Sequence, residues 1–200
     1  MLDLAILGLL KEKPMHGYEL KKRLSYMLGH FWVVSYGSLY PALKRLEKSG
    51  AIERAYSVKE KTRHRNVYRI TGDGEGKFMR MLTDNLSDAR LAEGEKFDVR
   101  MAFFQYLAPE SRLSLLEIRR ESLEAQVATV KTYYSSNRDK EHYRTNMMRH
   151  KIDLLKSDIR WLGKLIEHER GMILKRDAAS SLDEIEMDTT QSEISVASSV

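Results

Sequence analysis

Apolar positions recur along the first half of the chain with two different periods, and the switch between them sets the expected architecture. Leu2, Ile6, Leu9 and Leu10 share one helical face and mark a short first helix. The Lys13–Pro14 pair ends it, because the residue before a proline is pushed out of helical backbone. Tyr18, Leu20, Leu24, Met27 and Leu28 mark a second helix from His16 to Leu28. In the apolar connector GHFWVV, Phe31 and Trp32 are expected to fill core. The third helix is SYGSLYPALKRLEKSG, Ser35 to Gly50. Leu39, Leu43 and Leu46 recur there at i, i+4 and i+7, and Gly50 stands just past the expected end. Pro41 lies inside this helix. If Ser38 caps it, the missing N–H falls in the first turn and costs nothing. If Ser35 caps it, Pro41 removes one hydrogen bond and bends the start. The sequence leaves both open.

Beyond Gly50 the period becomes two. AIERAYSV and NVYRIT alternate apolar and polar residues around the charged KEKTRHR, which reads as a β-hairpin with a long basic tip. Thr71 is placed to cap the following helix, GDGEGKFMRMLTDNLSDARLA, whose glycines weaken its first turn. Three short helices and then a hairpin is the order of a winged helix-turn-helix.

From Lys96 onward only helical patterns appear. KFDVRMAFFQYL is short. Pro109 opens a longer helix, to Tyr134, with Leu116, Leu123 and Val130 seven apart, and SSNRDKE interrupts it. On the last helix, Lys140 to Lys175, Met148, Ile152, Leu155, Ile159, Leu162 and Ile166 alternate steps of four and three. Glu169 breaks the phase and Ile173 resumes it. This a/d seam is ~38 Å long at 1.5 Å per residue. A second row, Leu154, Trp161, Leu165 and Met172, widens it. So broad a stripe is expected to be covered both by the preceding helix and by a second copy of the chain. The expected fold is mainly α with a small β-hairpin. An N-terminal winged helix-turn-helix (1–90) precedes a C-terminal helical dimerisation domain (91–176) and an acidic, Ser-rich disordered tail (177–200).

Composition narrows the function. The chain has 200 residues and no cysteine, which removes disulfides, thiolate metal sites and cysteine nucleophiles and fits a cytoplasmic protein. The start, MLDLAILGLLKEKP, lacks the basic head and cleavage site of a signal peptide, and no run reaches the ~18 apolar residues of a membrane span. The six histidines (His16, His30, His64, His142, His150, His168) form no HExxH, and neither G-x-S-x-G nor a phosphate loop occurs. No enzyme, catalytic residue, metal or cofactor is expected. Charge is uneven. Residues 1–80 carry 16 Lys and Arg against 8 Asp and Glu, residues 81–176 carry 18 against 15, and residues 177–200 carry none against 6. The basic surplus in the first part points to a polyanion partner.

The candidate contact residues follow. With Leu39, Leu43 and Leu46 buried, the third helix exposes Tyr36, Ser38, Tyr40, Lys44 and Lys48, with Ser35 at its start. The hairpin tip adds Lys59, Lys61, Arg63, His64 and Arg65, flanked by Arg54 and Arg69, a density no packing need explains. Double-stranded DNA is the expected partner. The alternative is a protein-interaction module with a winged helix and a coiled-coil scaffold. Several aromatics, Tyr18, Trp32, Phe103, Phe104, Tyr106, Tyr133, Tyr134 and Trp161, are each individually expected to be core. Among them Tyr18, Trp32 and Trp161 are the candidates for a small aromatic or drug-like effector.

MLDLAILGLLKEKPMHGYELKKRL, SYGSLYPALKRLEKSGAIER and YRITGDGEGKF together resemble the PadR family of bacterial transcriptional regulators, over roughly residues 1–80. The resemblance implies a winged-helix DNA-binding domain, a homodimer built on C-terminal helices, and repression relieved by a small effector. The length and the two C-terminal helices resemble the longer branch of the family. On matching positions, Tyr36, Ser38, Tyr40 and Lys44 fall in the DNA-reading helix and Lys61 to Arg65 in the wing. The tip KEKTRHRN lacks the glycine or proline common in that family's wing.

Overall fold

Helix α1 (Leu2–Glu12) is apolar on every side from Leu4 to Leu10, so it is stable only when surrounded. In a computed structural model, which describes residues 1–27, 34–60, 63–83, 94–136 and 142–197, it is surrounded. It packs on α2 (Gly17–Met27), α3 (Tyr36–Lys48), α4 (Gly72–Thr83), α5 (Gly94–Met101) and strand β3 (Arg63–Ile70). These elements, with β1 (Met15–His16) and β2 (Ile52–Glu60), form the first of two units, Met1–Tyr106. The expected hairpin is β2 and β3, paired antiparallel from Ile52 opposite Ile70 to Glu60 opposite Arg63, with an irregularity at Ala55. The fold class is as expected, mainly helical with a small antiparallel sheet.

Three features differ from expectation. First, the sheet has three strands, in the order β1-β3-β2. Pro14 holds Lys13 extended (φ −167°, ψ 157°), and the chain leaves α1 in that direction, so Met15 and His16 pair with Tyr68 and Val67. Helix α2 therefore starts at Gly17. Second, the first unit runs to Tyr106 rather than ending at 90. Phe103 is fully buried with its ring against Gly8 of α1, where a Cβ would collide with it. Phe78 of α4 meets Phe103 and Tyr106 edge-on, at 5.6 and 5.5 Å between centroids. Third, α4 ends at Thr83. Residues 84–92 of the expected helix, and Phe31 and Trp32 of the expected core, lie outside the described residues.

The exit from α3 is a Schellman turn. Gly50 has φ +71°; its N–H donates to the Glu47 carbonyl, and the Ala51 N–H donates to the Leu46 carbonyl, with Ala51 buried. Thr71 ties the far end of the hairpin to this turn. Its hydroxyl donates to the Gly50 carbonyl (2.6 Å) and accepts from the Gly74 N–H (3.0 Å), which caps α4 as expected. Gly74 is no mere weak point, since a Cβ there would collide with the Ala51 carbonyl.

The second unit, Leu107–Val200, holds α6 (Pro109–Ser136) and α7 (His142–Ala197). The two pack as an antiparallel hairpin through Leu115, Leu116, Leu123 and Val127 on one side and Leu162 and Ile166 on the other. Glu169, which breaks the heptad phase, meets Arg112 at 3.0 Å; Arg170 with Glu117 and Arg176 with Glu110 flank the pair. Among the described residues, the second row stays largely open: Leu154, Trp161 and Met172 are 53%, 44% and 46% exposed, and Leu165 is partly buried. Where the sequence reading places a tail from 177, α7 continues to Ala197. Nothing after Gly171 interrupts it, since the remaining residues include neither glycine nor proline.

Two outcomes follow for stability. At Gly50 an added Cβ would meet no atom within 4 Å, so Gly50→Ala costs only the left-handed backbone, about 1 kcal/mol, readable in denaturant unfolding. Glu19 accepts from Lys13 (2.8 Å) and also meets Arg23, and the Lys13 hydrogen bond holds its carboxyl below the usual range. A carboxyl depressed in the folded state stabilises above its unfolded pKa, and that contribution is lost as pH falls through the folded value. Thermal melts of Glu19→Gln are therefore expected below wild type at neutral pH and to converge with it in strong acid.

Candidate nucleic-acid interface

Helix α3 begins with Ser35 as its cap, in extended backbone, its Oγ accepting from the Ser38 N–H at 3.1 Å. The Ser38 hydroxyl donates back to the Ser35 carbonyl (3.0 Å), and the Ser35 hydroxyl donates to Ser38 Oγ (3.2 Å). This decides the place of Pro41. It is the sixth helical residue, so its missing N–H leaves the Gly37 carbonyl without an i+4 donor. Both residues are exposed, which lets water take that carbonyl.

Leu39, Ala42, Leu43 and Leu46 turn into the core, and Tyr36, Ser38, Tyr40, Lys44 and Lys48 face solvent together. Tyr36 and Tyr40 stack at 5.9 Å and 23°. Lys21 of α2 places its ammonium 4.0 Å from the centre of the Tyr36 ring.

The basic residues divide into two groups. Arg45 pairs with Asp3 at 2.6 Å, Arg54 with Glu47 at 2.8 Å and Arg69 with Glu53 at 2.7 Å. Lys11 and Arg23 are likewise paired, with Glu75 and Glu12. Lys21, Lys22, Lys44 and Lys48 make no ion pair among the described residues. Uncompensated positive charge thus lies on α2 and α3, while Arg54 and Arg69 at the base of the hairpin are spoken for.

The remaining candidates are placed less completely. Lys61 lies outside the described residues; Arg63, His64 and Arg65 open β3, opposite Glu60, Lys59 and Val58. Tyr18 is exposed on α2, in a shallow depression with His16, Glu19, Lys22, Arg23 and Tyr26. Trp32 lies outside the described residues, and Trp161 stands on α7 in the other unit. His16 is a cap: its Nδ1 accepts from the Glu19 N–H at 3.1 Å. Lys21, Lys22 and Tyr26 of this face are absent from the sequence-derived set. The sequence carries no signal for Lys21, because its contact is with a ring on another helix. Among the described residues, no group of three His, Asp or Glu side chains is arranged to hold a metal ion.

Residues 6–80 match the family described as "Transcriptional regulator PadR-like family". The negative transcriptional regulator PadR of Bacillus subtilis is 31% identical over 75 residues, 38% of this chain and 41% of that protein. An uncharacterised protein of Lysinibacillus sphaericus is 35% identical over 74 residues, 37% of this chain and 68% of that one. Among solved structures, a transcriptional regulator from Clostridium thermocellum is 37% identical, covering 39% of this chain and 75% of that one, with a TM-score of 0.36. Bacillus subtilis PadR in complex with operator DNA is 20% identical, covering 84% and 97%, with a TM-score of 0.42. The chain belongs to the PadR-like family of transcriptional regulators. Its match spans less than half the length of the Bacillus subtilis relative.

Ser35→Ala removes the acceptor for the Ser38 N–H and is expected to cost about 1 kcal/mol in denaturant unfolding.

Proposed function

We propose that the chain is a cytoplasmic, sequence-specific DNA-binding regulator. It acts as a homodimeric repressor, with α3 in the major groove and the hairpin tip, residues 59–65, on the backbone or minor groove. The observation that carries this reading is the solvent face of α3, where Lys44 and Lys48 are exposed, with no ion pair among the described residues, beside the stacked Tyr36 and Tyr40. Lysines of this kind neutralise phosphates, and the tyrosines, Ser35 and Ser38 meet the groove. Membership of a family of regulators supports the same reading.

The exposed row of Leu154, Trp161 and Met172 on α7 supports a second copy as its cover. A dimer spaces two copies of α3 for one helical turn of DNA, ~34 Å, in only one of its geometries. A small aromatic or drug-like effector that prefers another geometry by ~5 kcal/mol would empty the operator. The half-exposed Trp161 ring supports an aromatic class for it. A division of roles is part of this proposal: the first unit, with the winged helix expected over 1–90, reads DNA, and the helices beyond it assemble.

Footprinting on the region upstream of the chain's own gene tests it. Two protected half-sites one helical turn apart are expected, with affinity falling steeply as salt rises. Lys44→Ala and Lys48→Ala each flatten that slope by ~0.9 for every phosphate they leave unneutralised. No protection at low salt sinks the proposal.

A further inference from the structure

Two residues four apart on α2 face two residues four apart on α3. Gly17 lies against Tyr40 so closely that a Cβ would come within 3.3 Å of the phenol oxygen. One turn further along α2, Lys21 sets its ammonium 4.0 Å from the centroid of Tyr36. Tyr36 and Tyr40 stack on each other between these contacts. The rings are 41% and 51% exposed, so burial alone does not fix their rotamers. Lys21 is half-buried and, among the described residues, has no carboxylate partner. Its neighbour Lys22 shows the looser case: its ammonium is 6.0 Å from the Tyr26 ring, which is 76% exposed. An ammonium centred on a ring face at 4.0 Å is held by the ring quadrupole and in turn holds the ring.

We propose that Lys21 is a positioning residue for DNA recognition. It acts through Tyr36, fixing the stacked tyrosine pair before DNA arrives, and makes no phosphate contact of its own. Gly17 completes the clamp by giving Tyr40 room against the start of α2. The inference rests on the reading that α3 meets DNA, and it adds a residue of the preceding helix whose role is to order the reading surface.

The test uses the full chain and the DNA duplex that the wild-type protein itself selects from a randomised pool. Lys21→Met is expected to weaken binding about twofold to fivefold, the range an exposed cation–π contact supplies, with the chain still folded at the assay temperature. Lys21→Arg, whose guanidinium also stacks on aromatic rings, is expected to restore binding. In a Tyr36→Leu background, Lys21→Met is expected to have no further effect. An undiminished effect of Lys21→Met in that background would mean a direct phosphate contact and overturn the proposal, as would wild-type binding by Lys21→Met. Should Lys21→Met fail to fold, NMR of the wild-type chain decides. The Lys21 methylene protons next to the ammonium are expected to be shifted upfield by the Tyr36 ring and to return to ordinary values in Tyr36→Leu. Unshifted wild-type resonances overturn the proposal. A wild-type chain that selects no duplex defeats the DNA-binding reading itself, whereas a selected duplex with an indifferent Lys21 defeats only this inference.

Discussion

The first unit depends on a place where two backbone segments meet with no side chain between them. The Ala51 carbonyl, just past the end of α3, faces Gly74 in the first turn of α4. The left-handed Gly50 sends the chain from α3 into β2, and Thr71 returns from β3 to bond the Gly50 carbonyl and cap α4. Four elements therefore converge on about two residues' width of backbone. The direction in which the hairpin leaves α3 is set there, so any surface shared by α3 and the hairpin inherits its geometry from this contact. It also explains a glycine-rich helix start that helix propensity alone would disfavour.

The charges of the unit show a comparable economy. Lys11, Lys13, Arg23, Arg45, Arg54 and Arg69 are held by carboxylates of the same unit, several of them between elements, such as Arg45 on α3 with Asp3 on α1. Exposed pairs of this kind add little stability, yet they neutralise charge where it would otherwise compete with a chosen surface. What stays uncompensated among the described residues includes Lys21, Lys22, Lys44 and Lys48, on the two helices of the helix-turn-helix.

Much of this was legible in the sequence wherever a local period carried it. The apolar face of α3, the alternating strands and the Thr71 cap are all signals spanning a few residues. Strand β1 was not legible because two residues have no period, and only Tyr68 and Val67 across the sheet make Met15 and His16 a strand. No local period shows that the first unit extends to Tyr106, because Phe103 finds its partner at Gly8, far back in the chain. Residues 177–197 are polar but hold neither glycine nor proline, and α7 runs through them. For the candidate surface, the α3 residues followed from subtracting the buried face. Lys21 did not, since a cation over a ring on another helix leaves no trace in either helix's own pattern. Of the hairpin tip, Lys61 stands outside the described residues.

The cap at Ser35 has a consequence for what the start of α3 can recognise. Each of the two hydroxyl protons is already committed, Ser35 to Ser38 Oγ and Ser38 to the Ser35 carbonyl. While the cap stands, the two exposed hydroxyls have only acceptor capacity left to offer. A group that only accepts makes no bond to such a pair, whereas an amine does. The same two serines that start the helix thus present acceptors at its tip, and a partner that itself only accepts can bond them only by taking a hydroxyl proton from the cap.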